Sequence, residues 1–206
     1  MIATQIPTPP TYPARPMNGG PLPSAPPKLG GRWWYEPKYN GWRVLVHTPS
    51  GTCFNRHGAS LSIAEEFAAP LARLQASCPF EWLDCEGLER RHGIGRGTLL
   101  VLDTLDDAGK FYDERQNLLG DWGENTHDGP ERLPINTKPE PDSLYRVPYY
   151  SALLVDHAWH RMPEINREWG CVFFEGVVAK RASGRYPKQL QDSTRHTPDW
   201  IKHRFV

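Results

Sequence analysis

The sequence predicts an α+β domain with antiparallel sheets and flanking helices. Its 206 residues are enough for one hydrophobic core of ordinary domain size. Apolar runs typical of strands come in pairs joined by short turns, and strands and helices do not alternate regularly. Regular alternation would favour a doubly wound parallel sheet instead. Because 38% of the residues are hydrophobic and eight are tryptophan, the chain can bury a core, which excludes a wholly disordered protein.

The first 30 residues differ in composition from the rest. They carry nine prolines between residues 7 and 27, a density that forbids a helix and disfavours pairing in a sheet. We therefore divide the chain into a proline-rich leader, residues 1–30, and one domain, residues 31–206. The leader is interpreted either as an extended tail on the domain or as a proline-rich ligand for another protein.

Local signals assign the elements of the domain in order. A β-rich run at 42–47, a turn and a returning strand at 52–56 predict a hairpin. Ser62 and Glu65 fit a capping box that opens a helix through residue 76, which Pro70 kinks or splits. Strands are predicted at 80–88, 98–105, 171–180 and 200–205. Residues 106–145 are predicted to be mostly loop with a short helix at 114–119, and a helix from residue 151 is interrupted at Pro163.

Charge is balanced overall but uneven along the chain. With 24 basic and 24 acidic residues, no bulk excess holds the protein on a polyanion, so any such site must be local. Residues 103–145 are acidic, whereas residues 180–206 carry seven basic and two acidic residues interleaved with Tyr186 and Trp200. That pattern is typical of a surface that grips phosphates, and the alternative is a solvated strand face.

Simple sequence patterns argue against a membrane-spanning protein and against a zinc-ribbon protein. No stretch approaches the roughly 18 apolar residues of a spanning helix, and the N-terminus lacks a secretory signal pattern. We therefore expect a cytoplasmic protein without a membrane partner. The four cysteines form no C-x-x-C pair, which argues against a zinc ribbon or redox motif, and we expect them to be reduced and structural.

A candidate nucleophile lies in the segment Lys-Tyr-Asn-Gly-Trp-Arg at 38–43. Lys38 stands just before a turn, and Arg43 begins the next strand. An amine attacks phosphorus only when neutral, so such a site must lower the pKa of the lysine while cations or a metal hold the anion. Alone the segment is weak, because a lysine before a turn is more often a solvated loop residue.

Acidic and basic residues downstream extend this candidate site. Glu86 and Glu175 each stand where an apolar strand emerges, and two such carboxylates suit Mg²⁺, which also binds substrate phosphates. Solvated strand ends are the alternative. Lys202 and Arg204 alternate along a strand, so they share one face and are spaced to bracket a phosphate.

In order and spacing, these segments resemble the nucleotidyltransferase motifs of ATP-dependent DNA ligases, especially the compact bacterial and phage kind. The resemblance runs from about residue 33 to residue 205. The first motif, K-x-D-G-x-R, is matched at three positions, and the fourth, E-G-V-V-x-K, is matched by residues 175–180. In motif order the matching residues are Lys38 with Gly41 and Arg43, then Arg56, Glu86, Glu175 with Lys180, and Lys202 with Arg204.

The resemblance implies an adenylation domain of the ATP-grasp-like nucleotidyltransferase fold, with ATP and Mg²⁺ as cofactors. Lys38 would attack the α-phosphorus of ATP and become lysyl-AMP with loss of pyrophosphate, and the AMP would then pass to the 5′-phosphate of nicked duplex DNA. Glu36 stands where the family contacts the adenine amino group, and Leu102 where it stacks an aromatic ring. Glu86 and Glu175 would bind metal and ribose. The cations implied for the phosphates are Arg43, Arg56, Lys180, Lys202 and Arg204.

Three departures keep other functions open. Asn40 replaces the usual Asp of the first motif, and Leu102 replaces the aromatic ring. The sequence ends at Val206, directly after the fifth motif, so we expect no OB domain and allow for a partner that supplies one. The alternatives are an RNA ligase, a capping guanylyltransferase, or a catalytically weak nucleotide- or nucleic-acid-binding module.

Overall fold

Two β-sheets and three α-helices make up the part of the chain that the structure describes. In this computed structural model the described residues are 15–18, 29, 31–89, 93–125, 129–186 and 196–205. The helices are α1 (Ala68–Ser77), α2 (Tyr112–Asn125) and α3 (Val155–Trp169), and a 3₁₀ turn at Ala64–Phe67 precedes α1. The strands are β1 (Arg15–Asn18), β2 (Trp33–Tyr39), β3 (Trp42–His47), β4 (Thr52–Phe54), β5 (Trp82–Leu88), β6 (Thr98–Thr104), β7 (Glu131–Arg132), β8 (Leu144–Arg146), β9 (Phe174–Arg181) and β10 (His196–Arg204).

The strands form a small and a large sheet. The small sheet has the order β1-β10-β9-β2 and the large sheet the order β4-β3-β5-β6-β8-β7. Most neighbours pair antiparallel, and the parallel pairs are β1 with β10, β6 with β8, and β7 with β8. The predicted α+β class with antiparallel sheets and flanking helices is confirmed.

Helix α3 packs against the small sheet. Its apolar face buries Val155, Trp159, Met162 and Ile165 in one cluster with side chains of β2 and β9. The predicted interruption at Pro163 is wrong, because α3 runs through that proline and ends at Gly170, whose φ is 69°. The proline lacks one N–H donor, but the apolar faces on both sides of it are buried, which holds the helix together.

Helix α1 covers the large sheet with a start that differs from the prediction. The residue before the 3₁₀ turn is Ile63, and no side chain caps it, so the capping box of Ser62 and Glu65 is wrong. Pro70 lies in the first turn of α1, where an N–H donor is not needed, and it does not kink the helix. Phe67, Leu71 and Leu74 anchor this segment in the core.

Helix α2 is longer than the short helix predicted at 114–119, in a stretch that is otherwise mostly loop as predicted. It spans 14 residues and continues through Gly120 and Gly123. A Cβ at Gly123 would lie 2.6 Å from the carbonyl oxygen of Pro130 and 2.8 Å from Nε of Arg146. The glycine therefore allows close packing.

The leader contributes one strand. Residues 15–18 form β1, which lies parallel to β10 at the outer edge of the small sheet. The prediction that proline density disfavours pairing is wrong for these four residues, because an edge strand tolerates a proline. Residues 1–14, 19–28 and 30 of the predicted leader lie outside the described residues.

Two further features concern the cysteines and the helices. All four cysteines are free thiols, and burial raises the pKa of Cys53 to about 12. Within the described ranges, no helix combines the length and apolarity that a membrane crossing requires.

Candidate functional site

A cavity of about 650 Å³ is lined by residues of both sheets. It collects every residue that the sequence singled out as a site candidate. These are Glu36, Lys38, Arg43, Arg56, Glu86, Leu102, Glu175, Lys180, Lys202 and Arg204. The convergence of segments as distant as residues 36 and 204 supports the interpretation of the sequence, and the role of each residue stays a prediction.

Three rows of facing residues run across β2, β9 and β10. The rows are Trp34 with Lys180 and Trp200, Glu36 with Val178 and Lys202, and Lys38 with Gly176 and Arg204. The predicted common face of Lys202 and Arg204 is confirmed, because both line the cavity. Ile201 packs against the core cluster of α3.

The row at the mouth brings the candidate nucleophile to a carboxylate. Nζ of Lys38 donates to Oε2 of Glu175, and Nη2 of Arg204 lies 3.2 Å from the same oxygen. Gly176 between them has a φ of 146°, and a Cβ there would lie 1.9 Å from the carbonyl oxygen of His203. Only glycine fits this position, so Lys38 and Arg204 reach Glu175 over bare backbone.

A register shift in each sheet places one cavity residue. Lys38 pairs with Gly176 and Tyr39 with Phe174, which leaves Glu175 without an opposite residue. Asp103 and Val101 likewise pair with consecutive residues of β5, which leaves Leu102 unpaired. Such bulges bend a strand and redirect a side chain, and they are common beside active sites.

The floor of the cavity is a buried ion pair. Nζ of Lys180 lies 2.8 Å from both carboxylate oxygens of Glu36, and the Tyr112 hydroxyl donates to Oε1 of Glu36 at 2.6 Å. Burial raises the pKa of Glu36, and the Lys180 charge opposes that rise. The ammonium lies 4.9 Å from the centre of the Trp200 ring and 5.2 Å from that of Tyr112. These contacts surround the charged groups with hydrogen-bonding and aromatic partners.

Arg43 is fixed by a second buried acid. Its Nε and Nη2 donate to both carboxylate oxygens of Asp84, which is fully buried, and Tyr186 donates to Asp84 at 2.9 Å. Burial is the largest influence on the Arg43 guanidinium and lowers its pKa, but the charge and hydrogen bonds of Asp84, together with Tyr186 and Glu86, outweigh burial and raise the pKa. Arg43 is therefore a permanently charged, oriented cation in the wall.

Glu86 faces Arg43 across β3 and β5. Its Oε1 accepts the N–H of Gly41 at 2.9 Å. Burial raises the pKa of Glu86 to about 7, although the Lys38 and Arg43 charges oppose the rise. A Cβ at Gly41 would lie 2.6 Å from the carbonyl oxygen of Gly87, so glycine is required where the turn meets this strand.

Arg56 lies in the loop after β4. Asn55 orders that loop because its Oδ1 accepts the N–H of His57 at 2.8 Å and of Ala59 at 3.2 Å. Nε of Arg56 in turn lies 3.1 Å from Nε2 of His57. Since Arg56 and His57 are both exposed, this pair forms a polar rim on the large-sheet side of the cavity.

The comparisons with known proteins concern the fold. No family model and no curated protein sequence matches the chain. Among solved structures, it is similar to the Chlorella virus DNA ligase-adenylate, with a TM-score of 0.59 and 14% identity, over 94% of this chain and 69% of the other. The ligase domain of Mycobacterium tuberculosis LigD gives 0.58 and 18% over 94% and 59%, and mycobacterial DNA ligase D complexed with ATP and MES gives 0.52 and 19% over 94% and 60%. The chain has the fold of a DNA ligase domain.

The comparisons establish the fold of the chain and do not establish an activity. At 14 to 19% identity, similarity between structures carries the fold alone. The chain also spans only about 60 to 70% of the length of these three ligases. The expected resemblance to DNA ligases is confirmed at the level of the fold.

Several residues that line or support the cavity received no individual role in the sequence analysis. Asp84, Tyr112 and Tyr186 hold the predicted residues in place, and Trp42, His57 and His196 also line the cavity or its mouth. Alternation on β5 puts Asp84 on the same face as Glu86, which was a usable signal. Tyr112 gave none, because it lay in a segment interpreted as loop.

The carboxylates that line the cavity fit a magnesium ion that is partly held by substrate. Within the described residues, no three His, Cys, Asp or Glu side chains converge as they would around a metal bound by protein alone. Glu86 and Glu175 offer two hard carboxylates, and Mg²⁺ commonly binds one or two carboxylates plus phosphates and water. These two residues are therefore the candidates to hold it.

Proposed function

We propose that the chain is the adenylation domain of an ATP-dependent polynucleotide ligase that seals nicks in duplex DNA. The observation that carries the proposal is the row of Lys38, Gly176 and Arg204 with Glu175 bound above it, in a cavity whose other walls supply cations. A primary amine, two carboxylates and several arginines and lysines are the groups that transfer of a nucleotide to lysine requires.

In the first step the neutral Lys38 amine attacks the α-phosphorus of ATP. An N–P bond forms, the bond from the α-phosphorus to the bridging oxygen breaks, and pyrophosphate leaves. The amine proton passes to a neighbouring base, and Glu175 is the carboxylate in contact with Nζ. Mg²⁺, held by Glu86 and Glu175 when bound, would supply neutralisation of phosphate charge.

The cations of the cavity fall into two groups, those fixed by a buried carboxylate and those on exposed side chains. Arg43 is locked by Asp84 and Lys180 by Glu36, so these two give fixed positive charge. The Arg204 side chain is 46% exposed and Arg56 lies at the rim, so both can move onto a phosphate. Fixed donors and charges stabilise the transition state more than mobile ones, because they need no reorganisation.

The later steps are part of the same proposal. AMP passes from Lys38 to the 5′-phosphate at a nick, and the 3′-hydroxyl then displaces AMP to join the strand. Nicked duplex DNA is the proposed substrate, and a protein that contributes an OB domain is a proposed partner. Joining of nicked DNA and of nicked RNA–DNA hybrids, measured side by side, separates a DNA ligase from an RNA ligase. Labelling with GTP instead of ATP tests a guanylyltransferase.

The test is covalent labelling with ATP that carries its label on the α-phosphate, in the presence of Mg²⁺. We expect an acid-labile adduct on the wild-type protein and on Lys110→Ala, because Lys110 pairs with Asp107 on the surface outside the cavity. Lys38→Ala should carry no adduct. An adduct that persists in folded Lys38→Ala would reject the proposed nucleophile.

A second candidate function is supported by one observation. Lys38, Arg43, Lys180 and Glu36 all hold charged partners within the protein. A site whose ionic groups satisfy each other is suited to a nucleotide-binding module with weak catalysis. ATP binding by equilibrium dialysis, without any covalent adduct, would favour that module over the ligase.

A further inference from the structure

Two asparagines hold the segment that leads into β9 from opposite sides. Asn166 of α3 accepts the N–H groups of Phe173 and Phe174 on its Oδ1, each at 2.9 Å, and its Nδ2 donates to the Phe174 carbonyl at 2.7 Å. Asn40 lies in the turn after Lys38. Its backbone N–H donates to the Phe173 carbonyl and its Nδ2 to the Val172 carbonyl, each at 3.0 Å.

These hydrogen bonds lie at the register shift that places Glu175. Lys38 faces Gly176, Tyr39 faces Phe174, and Asn40 continues the connection to Phe173. Glu175 is the residue left over, and its carboxylate contacts Lys38 and Arg204. If the segment before β9 slid by one residue, the period-two alternation of the strand would turn Glu175 to the other face.

We propose that Asn40 and Asn166 are positioning residues that fix the shift and so hold Glu175 at the Lys38 amine. As far as it concerns AMP transfer, this inference rests on the proposed function. The role of Asn40 depends on its amide as a donor. An aspartate there has the same shape, but its carboxylate would face the carbonyl oxygen of Val172 with no hydrogen to share.

A positioning role for Asn40 predicts an effect of Asn40→Asp opposite to the one expected if Asn40 had only replaced a motif aspartate. If Asn40 were merely an inert replacement of the aspartate in the K-x-D-G-x-R motif, then Asn40→Asp would restore function and speed AMP transfer. If Asn40 clamps Val172, then Asn40→Asp slows AMP transfer. The two interpretations differ in the direction of one measurement.

The test compares Asn40→Asp and Asn40→Ala with the wild type and with Asn136→Asp as the matched control. Asn136 is exposed on the surface, where its Oδ1 accepts from Arg161 at 3.3 Å, so the same chemical change there should leave the rate of adduct formation unaltered. At about pH 8 we expect Asn40→Asp to form lysyl-AMP about 2- to 10-fold more slowly than the wild type, the value of one hydrogen bond.

The pH profile distinguishes a lost donor from a general loss of structure. A carboxyl facing a carbonyl is favoured in its protonated form, which can donate, so its pKa rises on folding. The ratio of the Asn40→Asp rate to the wild-type rate should therefore recover as the pH falls from about 8 to about 5. The ratio for Asn40→Ala should stay constant, because that variant has no group to protonate.

Thermal melting tests the clamp independently of catalysis. At about pH 8 we expect Asn40→Asp to melt about 2–4 °C below both the wild type and Asn136→Asp, with a smaller gap at about pH 5. A wild type that binds no AMP covalently would reject the proposed function, and the melting comparison would then decide the clamp alone. Wild-type or higher adduct rates in Asn40→Asp at about pH 8, a ratio that does not recover at low pH, or an unchanged melting temperature would each overturn the inference.

Discussion

The Glu36 carboxylate and the Lys180 ammonium bind each other at 2.8 Å on neighbouring strands, and each side chain is only 3% exposed. The resemblance to DNA ligases predicts that Glu36 contacts adenine and that Lys180 contacts a phosphate. The structure shows them joined at the cavity floor, where Tyr112 adds a third hydrogen-bonding group. A charge at this depth needs its partner, since removal of one leaves the other buried and unpaired.

Breaking this pair should cost more than replacing it. We expect Glu36→Ala to lower the free energy of unfolding by about 3–5 kcal/mol, because Lys180 is left without a counter-charge. The double variant Glu36→Leu with Lys180→Met should lose much less, since no buried charge remains. Chemical denaturation of both proteins measures the difference, and equal losses would show that the pair contributes only through packing.

Removing the Tyr112 hydroxyl should destabilise the cavity floor less than breaking the ion pair does. Tyr112→Phe removes a hydroxyl that donates to Glu36 but keeps the ring against Lys180. We expect a loss of about 1–2 kcal/mol of stability together with weaker ATP binding relative to Phe111→Ala, whose ring is exposed outside this cavity. Denaturation and equilibrium dialysis measure the two effects, and unchanged ATP affinity would separate Tyr112 from the nucleotide.

Neighbouring residues of β10 should fail in different ways. Lys202 faces the cavity and Ile201 packs on the core, so Lys202→Ala should slow adduct formation with little change in melting. Ile201→Ala should instead lower stability by about 1–3 kcal/mol, because it truncates a partly buried side chain that packs on the core. Labelling rates and melting curves of the two variants give the comparison. The same pattern of loss in both would contradict the assignment of the strand faces.

Glu86 should make stability depend on pH near neutrality. Burial raises its pKa from 4.5 to about 7 in the folded protein, so the folded state binds this proton more tightly than the unfolded state. Its contribution is fully present below about pH 4.5 and is lost as the pH rises through about 7. Glu86→Gln should remove that loss and gain about 1–3 kcal/mol relative to the wild type between about pH 5 and pH 8, a range reduced for partial exposure. Denaturation across this pH range checks the sign, and a parallel shift at every pH would contradict it.

Much of this site could be predicted from local sequence because its residues stand at strand ends and in alternation. Lys202 and Arg204 share a face for the reason that strands alternate, and Glu175 follows an apolar run as a residue emerging from the core does. The hairpin of β3 and β4 could also be predicted, because a short turn joins two neighbouring strand-forming runs.

The remainder depends on contacts between distant segments. No local signal indicates that Glu175 and Leu102 fall at register shifts, because a shift is set by two strands together. Helix α2 extends beyond the predicted short helix at 114–119, and Gly123 within the extension allows close packing against Arg146. The partners Asp84 of Arg43 and Lys180 of Glu36 likewise emerge only when the sheets assemble.

The most direct test of the central claim is to locate the adenylate on the chain. After incubation with ATP and Mg²⁺, the protein is digested and its peptides are analysed by mass spectrometry. We expect one added AMP, on the peptide that contains Lys38, and none on any other lysine. The control Asn136→Asp should give the same result. AMP on a different lysine, or a folded protein that binds ATP without forming any adduct, would contradict the account.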